Sequence, residues 1–295
     1  MDEAKENVNL HSLCGRKVLV TGAGRGIGRA VAIEFARAGC NIACVSRTQE
    51  EIDDVVSYVR STTSAKAKAF PFDITRISEI PRLIEQVEQW MGGPIEILIN
   101  NGGIARIEAL ECQIDMDHWQ KVMTTNLTAP VALINQVLPN MLTRQYGTII
   151  SIGSRNAIYN IPFTSSYSVS KTGLLRFHHI LEAETLGQGI CNYYVQPGNI
   201  DTKILDVSNA IDANAMNHDG VIRAINILRG CPRNPVERVA EACAKLACGG
   251  HTVLSGSYVD LDQDTWGQIK SDNGSVSPIA EGGGLALEAS NLPFK

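Results

Sequence analysis

Tyr167 and Lys171 stand four residues apart in the run SSYSVSKTGLLRFHHILEAETL, whose pattern after Pro162 predicts a helix. Residues at that spacing share one helix face, so the phenol and the ammonium become neighbours. Ser154 closes the strand-like run GTIISIGS, thirteen positions before Tyr167. A phenol ordinarily titrates near about 10, and a nearby cation favours its phenolate. A serine hydroxyl beside it can hold a substrate oxygen. The trio is a proton donor for a carbonyl, or a proton acceptor for an alcohol. The competing reading is a serine-rich amphipathic helix whose tyrosine only packs. The rest of the chain decides between the two.

Short β-branched runs fall at 17–21, 41–46, 95–100, 147–152 and 190–195, with a weaker, proline-bearing run at 66–73 expected near a sheet edge. Helical patterns separate them at 26–38, 48–62, 76–91, 116–144, 165–187 and 235–248. Strands alternating with helices imply right-handed crossovers, a parallel sheet and helices on both of its faces. The fold class expected is α/β, a single doubly wound Rossmann-type domain. Residues 1–13 form a polar arm, 14–266 the domain, and 267–295 a Gly- and Ser-rich tail. Within the domain, 199–234 is expected to be a substrate loop. Its stretch 203–230 shows a poor apolar pattern and is expected to act as a lid.

The first strand runs into Gly22, Gly24, Arg25, Gly26, Ile27 and Gly28, where a phosphate-binding loop belongs. Glycines let the backbone approach a pyrophosphate, and the helix N-terminus favours its charge. The second strand ends at Ser46, Arg47 and Thr48, with no carboxylate between Asn41 and Thr48 to hold ribose hydroxyls. Arg47 and Arg25 are a pair of guanidiniums suited to a 2′-phosphate. Asp73 and Ile74 end the third strand. The Asp can accept from an adenine amino group or cap the next helix. Asn100, Asn101 and Gly102 end the fourth, where ligands bind in such sheets. Asn126 lies inside the stretch TTNLTAP, although its amide competes with helical backbone. It marks either a kink before Pro130 or a break that exposes a polar group to water. Pro197, Gly198, Ile200 and Thr202 follow the sixth strand, beside the far end of a dinucleotide.

Net charge is −5, so no broad basic surface points to nucleic acid or membrane. The chain has no apolar run long enough to span a bilayer, and its first residues lack the pattern of a signal peptide. Eight scattered cysteines without CxxC fit a reducing compartment, the cytoplasm. No His, Cys or carboxylate spacing matches a metal site.

Together TGAGRGIG, Asp73, NNGG, Asn126, Ser154, YSVSK and PGNIDT stand in the order and at the spacings of the short-chain dehydrogenase/reductase family, which the chain resembles over about residues 14 to 262. The resemblance implies a catalytic tetrad of Asn126, Ser154, Tyr167 and Lys171. In it Tyr167 is the general acid/base and Ser154 orients the carbonyl. Lys171 binds the nicotinamide ribose and lowers the Tyr167 pKa, and Asn126 holds a water leading from Lys171 to solvent. Arg25 and Arg47 resemble the NADP-preferring members. The implied activity is NADPH-dependent reduction of a ketone or aldehyde, or its reverse. The alternatives are a lyase, epimerase or imine reductase on the same site, or a silent NADP(H)-binding interaction protein. The resemblance also implies a homodimer or homotetramer. Arg155, Asn156 and Tyr159, with Ser154 and Tyr167, are the candidate substrate contacts. Gly103 to Ile107 and Ile161 complete the pocket. The family's late Asp-Gly-Gly signature is replaced by LSGSYVDLDQDTW, which leaves the pocket floor open to question.

Overall fold

A computed structural model describes residues 10–200, 210–231, 233–249 and 252–262. Thr202, the 203–209 part of the expected lid and the 267–295 tail lie outside these residues. Seven strands form one parallel sheet in the order β3-β2-β1-β4-β5-β6-β7. They are β1 (Lys17–Thr21), β2 (Asn41–Ser46), β3 (Ala67–Pro71), β4 (Ile97–Asn100), β5 (Gly147–Ile152), β6 (Ile190–Gln196) and β7 (Tyr258–Asp260). The proline-bearing β3 is an edge strand, as its missing N–H donor demands.

Side chains alternate along each strand and feed two cores. Val18, Val20, Ile97 and Ile99 face α1 (Gly26–Arg37), α2 (Gln49–Thr62) and α8 (Val236–Ala247). Leu19, Leu98 and Ile149 face α3 (Ile80–Met91), α5 (Ala129–Thr143) and α6 (Ser165–Thr185). Leu13, in a 3₁₀ turn ahead of β1, joins the first core. Cys40 and Cys44 lie in that core too, and burial pushes both thiols up to about 12.

The sequence pattern fails at two helices. The stretch expected as one helix over 116–144 is α4 (Met116–Met123), a π-helical turn at Thr124–Thr128, and then α5. The stretch expected to lack pattern contains α7 (Asp219–Gly230). Val221 and Ile225 of α7 pack on Ile107 and Ala215, with Phe163 against them. His218 caps α7, its Nδ1 accepting from Gly220 N and Val221 N.

Chain order reverses between β1 and β4, so the loops after these two strands open the crevice where open sheets take ligands. A polar chain crosses the sheet close by. His178 of α6 is buried, with Nδ1 2.9 Å from Asn192 Oδ1 and Nε2 2.8 Å from Ser151 Oγ. Asn192 Nδ2 and Ser255 Oγ both donate to Glu182 Oε2. Desolvation lowers His178 to about 4, against the opposing hydrogen bond that its Nδ1 donates to Asn192 Oδ1. The unfolded chain therefore takes up the proton first, near about 6.5. Stability present above that pH is lost as pH falls toward about 4. Urea unfolding should show this histidine removing about 2 kcal/mol between about pH 7.5 and pH 5. His178→Gln should be less stable at the higher pH and lack that share of the slope. Parallel slopes in the two proteins would rule His178 out as the cause.

Candidate active site

Ser154, Tyr167 and Lys171 line one cavity of about 970 Å³. Ser154 lies just past the end of β5, and its hydroxyl exchanges hydrogen bonds with Asn156. It donates to Oδ1 at 3.1 Å and accepts from the backbone N–H at 3.2 Å. Asn156 is fixed in turn by Thr164 Oγ1 at 3.0 Å and Ser168 Oγ at 3.3 Å. Lys171 is buried, and its Nζ donates to Ile152 O at 2.8 Å while standing 5.7 Å from the centre of the Tyr167 ring. Desolvation lowers Lys171 to about 8. Desolvation raises Tyr167, and a hydrogen bond with Ser154 opposes it. The sequence reading expected the ammonium to pull the phenol down. In this structure burial is the largest influence on the phenol, and it favours the protonated form.

Asn126 sits on the π-turn, almost fully buried. Its amide pairs with the backbone of Ile104 like a strand residue: Oδ1 accepts from N at 2.9 Å and Nδ2 donates to O at 2.8 Å. Nδ2 also lies 3.1 Å from Ser170 Oγ, which donates to Tyr167 O. The side-chain amide at this break is satisfied by Ile104 and Ser170. It ties the pocket loop 101–107 to the tyrosine-bearing helix.

The cavity continues along Gly22, Gly24, Arg25, Gly26 and Ile27, then Ser46, Arg47, Thr48, Asp73, Ile74, Asn101 and Gly102. Gly22 and Gly26 take φ of +62° and +52°, where a side chain would be strained. A Cβ at Gly28 would overlap the Gly22 carbonyl and Asn101 Nδ2. Asn101 stitches this loop to β4, donating from Nδ2 to Thr21 O at 3.0 Å and Gly22 O at 3.1 Å. Burial would raise the Asp73 carboxyl. The N–H and hydroxyl of Thr75, with the charges of Arg47 and Arg76, hold it below its usual value. Pro197, Gly198 and Ile200 line the other end, beside Arg155 and Asn156. A close-packed glycine turn at a switch point, two guanidiniums and the Tyr–Lys pair fit a nicotinamide dinucleotide, as the sequence expected.

The family model described as short chain dehydrogenase matches residues 16–212. The chain belongs to the short-chain dehydrogenase family. A short chain dehydrogenase of Pseudocercospora fijiensis is 32% identical over 85% of this chain and 82% of its own. A D-beta-hydroxybutyrate dehydrogenase of Rhizobium meliloti is 27% identical over 84% of this chain and 97% of its own. Among solved structures, a candidate NAD(P)-dependent gluconate 5-dehydrogenase of Beutenbergia cavernae, with NADP bound at low occupancy, superposes with a TM-score of 0.73. It covers 87% of this chain and 99% of its own at 24% identity, a likeness of fold. The chain is thus an oxidoreductase of the type acting on CH–OH and C=O groups.

Not every sequence candidate reaches the cavity of this dehydrogenase. Asn100 is buried with Nδ2 3.5 Å from Ser151 Oγ, and Gly28 and Tyr159 are absent from the lining. Arg155 does line it, but Asp262 holds its guanidinium at 2.5 Å. Glu51 and Tyr194 are among the residues that carry no signal in the sequence. Glu51, in the first turn of α2, lines the adenosine half and lies 4.0 Å from Arg25 Nη1. Tyr194 of β6 packs under Gly153, where any Cβ would overlap its ring. Its hydroxyl accepts from Ser154 N at 3.1 Å and donates to Lys171 O at 3.2 Å. One buried phenol thereby fixes the backbones of two active-site residues. Nothing in its strand run, ICNYYV, distinguished it from ordinary core.

Proposed function

We propose that this dehydrogenase is an NADPH-dependent reductase of ketones or aldehydes, reversible toward the alcohol. One observation carries the reading: Ser154, Tyr167 and Lys171 open onto the same cavity as Arg25 and Arg47. Pro197, Gly198, Ile200 and Thr202 complete the set assigned to the dinucleotide, with Thr202 outside the described residues. NADPH, when bound, supplies the hydride. Ser154 turns its one hydroxyl proton from Asn156 Oδ1 to the carbonyl oxygen and fixes its direction. Tyr167 keeps its proton in the resting site and gives it to that oxygen as negative charge develops there. Lys171 is positioned to hold ribose hydroxyls and to return a proton toward Tyr167. Asn126 acts as a positioning residue through Ile104 and Ser170. Loss of NADPH absorbance with a panel of ketones and aldehydes tests the reading. A panel without turnover in either direction, from a protein that still binds NADPH, would favour the silent binding protein.

The substrate is a small or medium carbonyl compound, and neither nucleic acid nor membrane is a partner. Among the described residues no helix is long and apolar enough to cross a membrane. The eight scattered cysteines without CxxC are the ground for placing it in a reducing cytoplasm. The working form is a homodimer or homotetramer built through the helices over 116–144, which are α4 and α5, and through α6. Val169 and Ile180 are 48% and 45% exposed and eleven residues apart, so three turns of helix bring them to one face. Together with Met116, 60% exposed at the start of α4, they are the exposed apolar positions that the pairing would cover. Light scattering should return at least twice the mass of one chain. A single-chain mass at micromolar concentration would refute the pairing.

A further inference from the structure

Four cationic side chains line the carbonyl half of the cavity: Arg106, Arg155, Lys171 and Arg238. Each is already engaged. Arg155 Nη2 lies 2.5 Å from Asp262 Oδ2, and Arg238 Nη1 lies 3.7 Å from Asp262 Oδ1. Asn234 Nδ2 donates to the same Oδ1 at 2.8 Å. Buried Asp260 accepts from Asp262 N, and the charges of Arg155 and Arg238 reach its carboxylate without a direct ion pair. Arg106 Nη2 pairs with buried Asp212 Oδ2 at 3.2 Å, and Lys171 donates to Ile152 O. Asp262 falls in the segment that departs from the family's usual Asp-Gly-Gly. It joins the loop after β5, the start of α8 and the end of β7 into one clasp beside Ser154.

Resting on the reductase reading above, we propose that Asp262 is a specificity residue, which occupies Arg155 and selects substrates with no anionic group next to the reacting carbonyl. An anionic substrate group reaching for Arg155 also meets the Asp262 carboxylate, which lines the same cavity, and like charges at contact distance repel. An uncharged ketone meets no such opposition. Both partners are partly exposed, so salt weakens the pair, but a competing anion is screened equally.

The test compares acetoacetate with its methyl ester, which share the reacting ketone and differ in charge. Wild type should favour the ester in kcat/KM by about tenfold or more, equivalent to about 1.4 kcal/mol. Asp262→Asn keeps the size and the acceptor for Asn234 but leaves Arg155 without its carboxylate. It should move the ester-to-acid ratio toward the acid by about tenfold. Adding Arg155→Gln to that variant should cancel the shift, which a merely loosened clasp would not do. Dissociation constants of the two compounds in the presence of NADP should show the same ratios without turnover. Absent turnover with normal binding ratios would count against the reductase reading alone. A wild-type preference for the acid, or a ratio unmoved by Asp262→Asn, would overturn the proposal.

Discussion

Replacing Tyr167 by Phe is expected to lower turnover at least about a hundredfold, the lower end of what a positioned general acid contributes. The ring that packs beneath the cavity stays, and only the proton donor goes. Ser154 keeps its bonds to Asn156, and Lys171 keeps its bond to Ile152 O. The NADPH dissociation constant should therefore change little, and the loss should fall on kcat. Phenylalanine also removes the partner that holds Tyr167 and Ser154 together, so Ser154→Ala is the useful companion. The double variant should be little worse than the worse single one, because groups that act as a unit lose their effect together. A Tyr167→Phe enzyme with wild-type turnover would end the assignment of the proton donor.

What could be read from the residues alone follows from how local each signal is. Tyr167 and Lys171 are one helical turn apart, and the glycine turn sits between one strand and one helix, so spacing suffices. The alternation of strand and helix runs predicts the parallel sheet, and the central runs β1, β4, β5 and β6 are buried on both faces as such a sheet requires. Asn126 is different. Its break could be seen, but the groups that satisfy its amide belong to Ile104 and Ser170, which only the assembled fold brings near. Glu51 is likewise invisible, since its approach to Arg25 depends on how α2 packs over the glycine turn. The miss at α7 had another cause. Val221, Ala224 and Ile225 do recur at helical spacing, but the polar stretch before them dilutes the pattern over 203–230.

The 2′-phosphate separates NADPH from NADH, carrying up to two charges and several acceptor oxygens. Arg47, at the end of β2, and Arg25, in the glycine turn, both line the adenosine half of the cavity and are exposed enough to reach it. Hydrogen bonds to charged groups contribute roughly 1.5–3 kcal/mol each. Solvent exposure reduces this, so a preference for NADPH of about ten- to a thousandfold is expected, tenfold for each 1.4 kcal/mol or so. Glu51 works against it, because its carboxylate lies 4.0 Å from Arg25 and competes for that guanidinium. Glu51→Gln should then raise the preference by a modest factor, about three- to tenfold, given how exposed the pair is. Arg47→Asp should do the opposite and by far more. It removes one attraction, adds a repulsion, and offers the free ribose hydroxyls of NADH an acceptor. Asp73 is already held in its ionised state partly by Arg47, so the new Asp would also face an existing carboxylate. That should cost some affinity for both cofactors while the ratio swings toward NADH. Dissociation constants of both cofactors for the three proteins decide the matter. Equal wild-type affinities, or a ratio unmoved by Arg47→Asp, would show that these arginines do not clamp the phosphate.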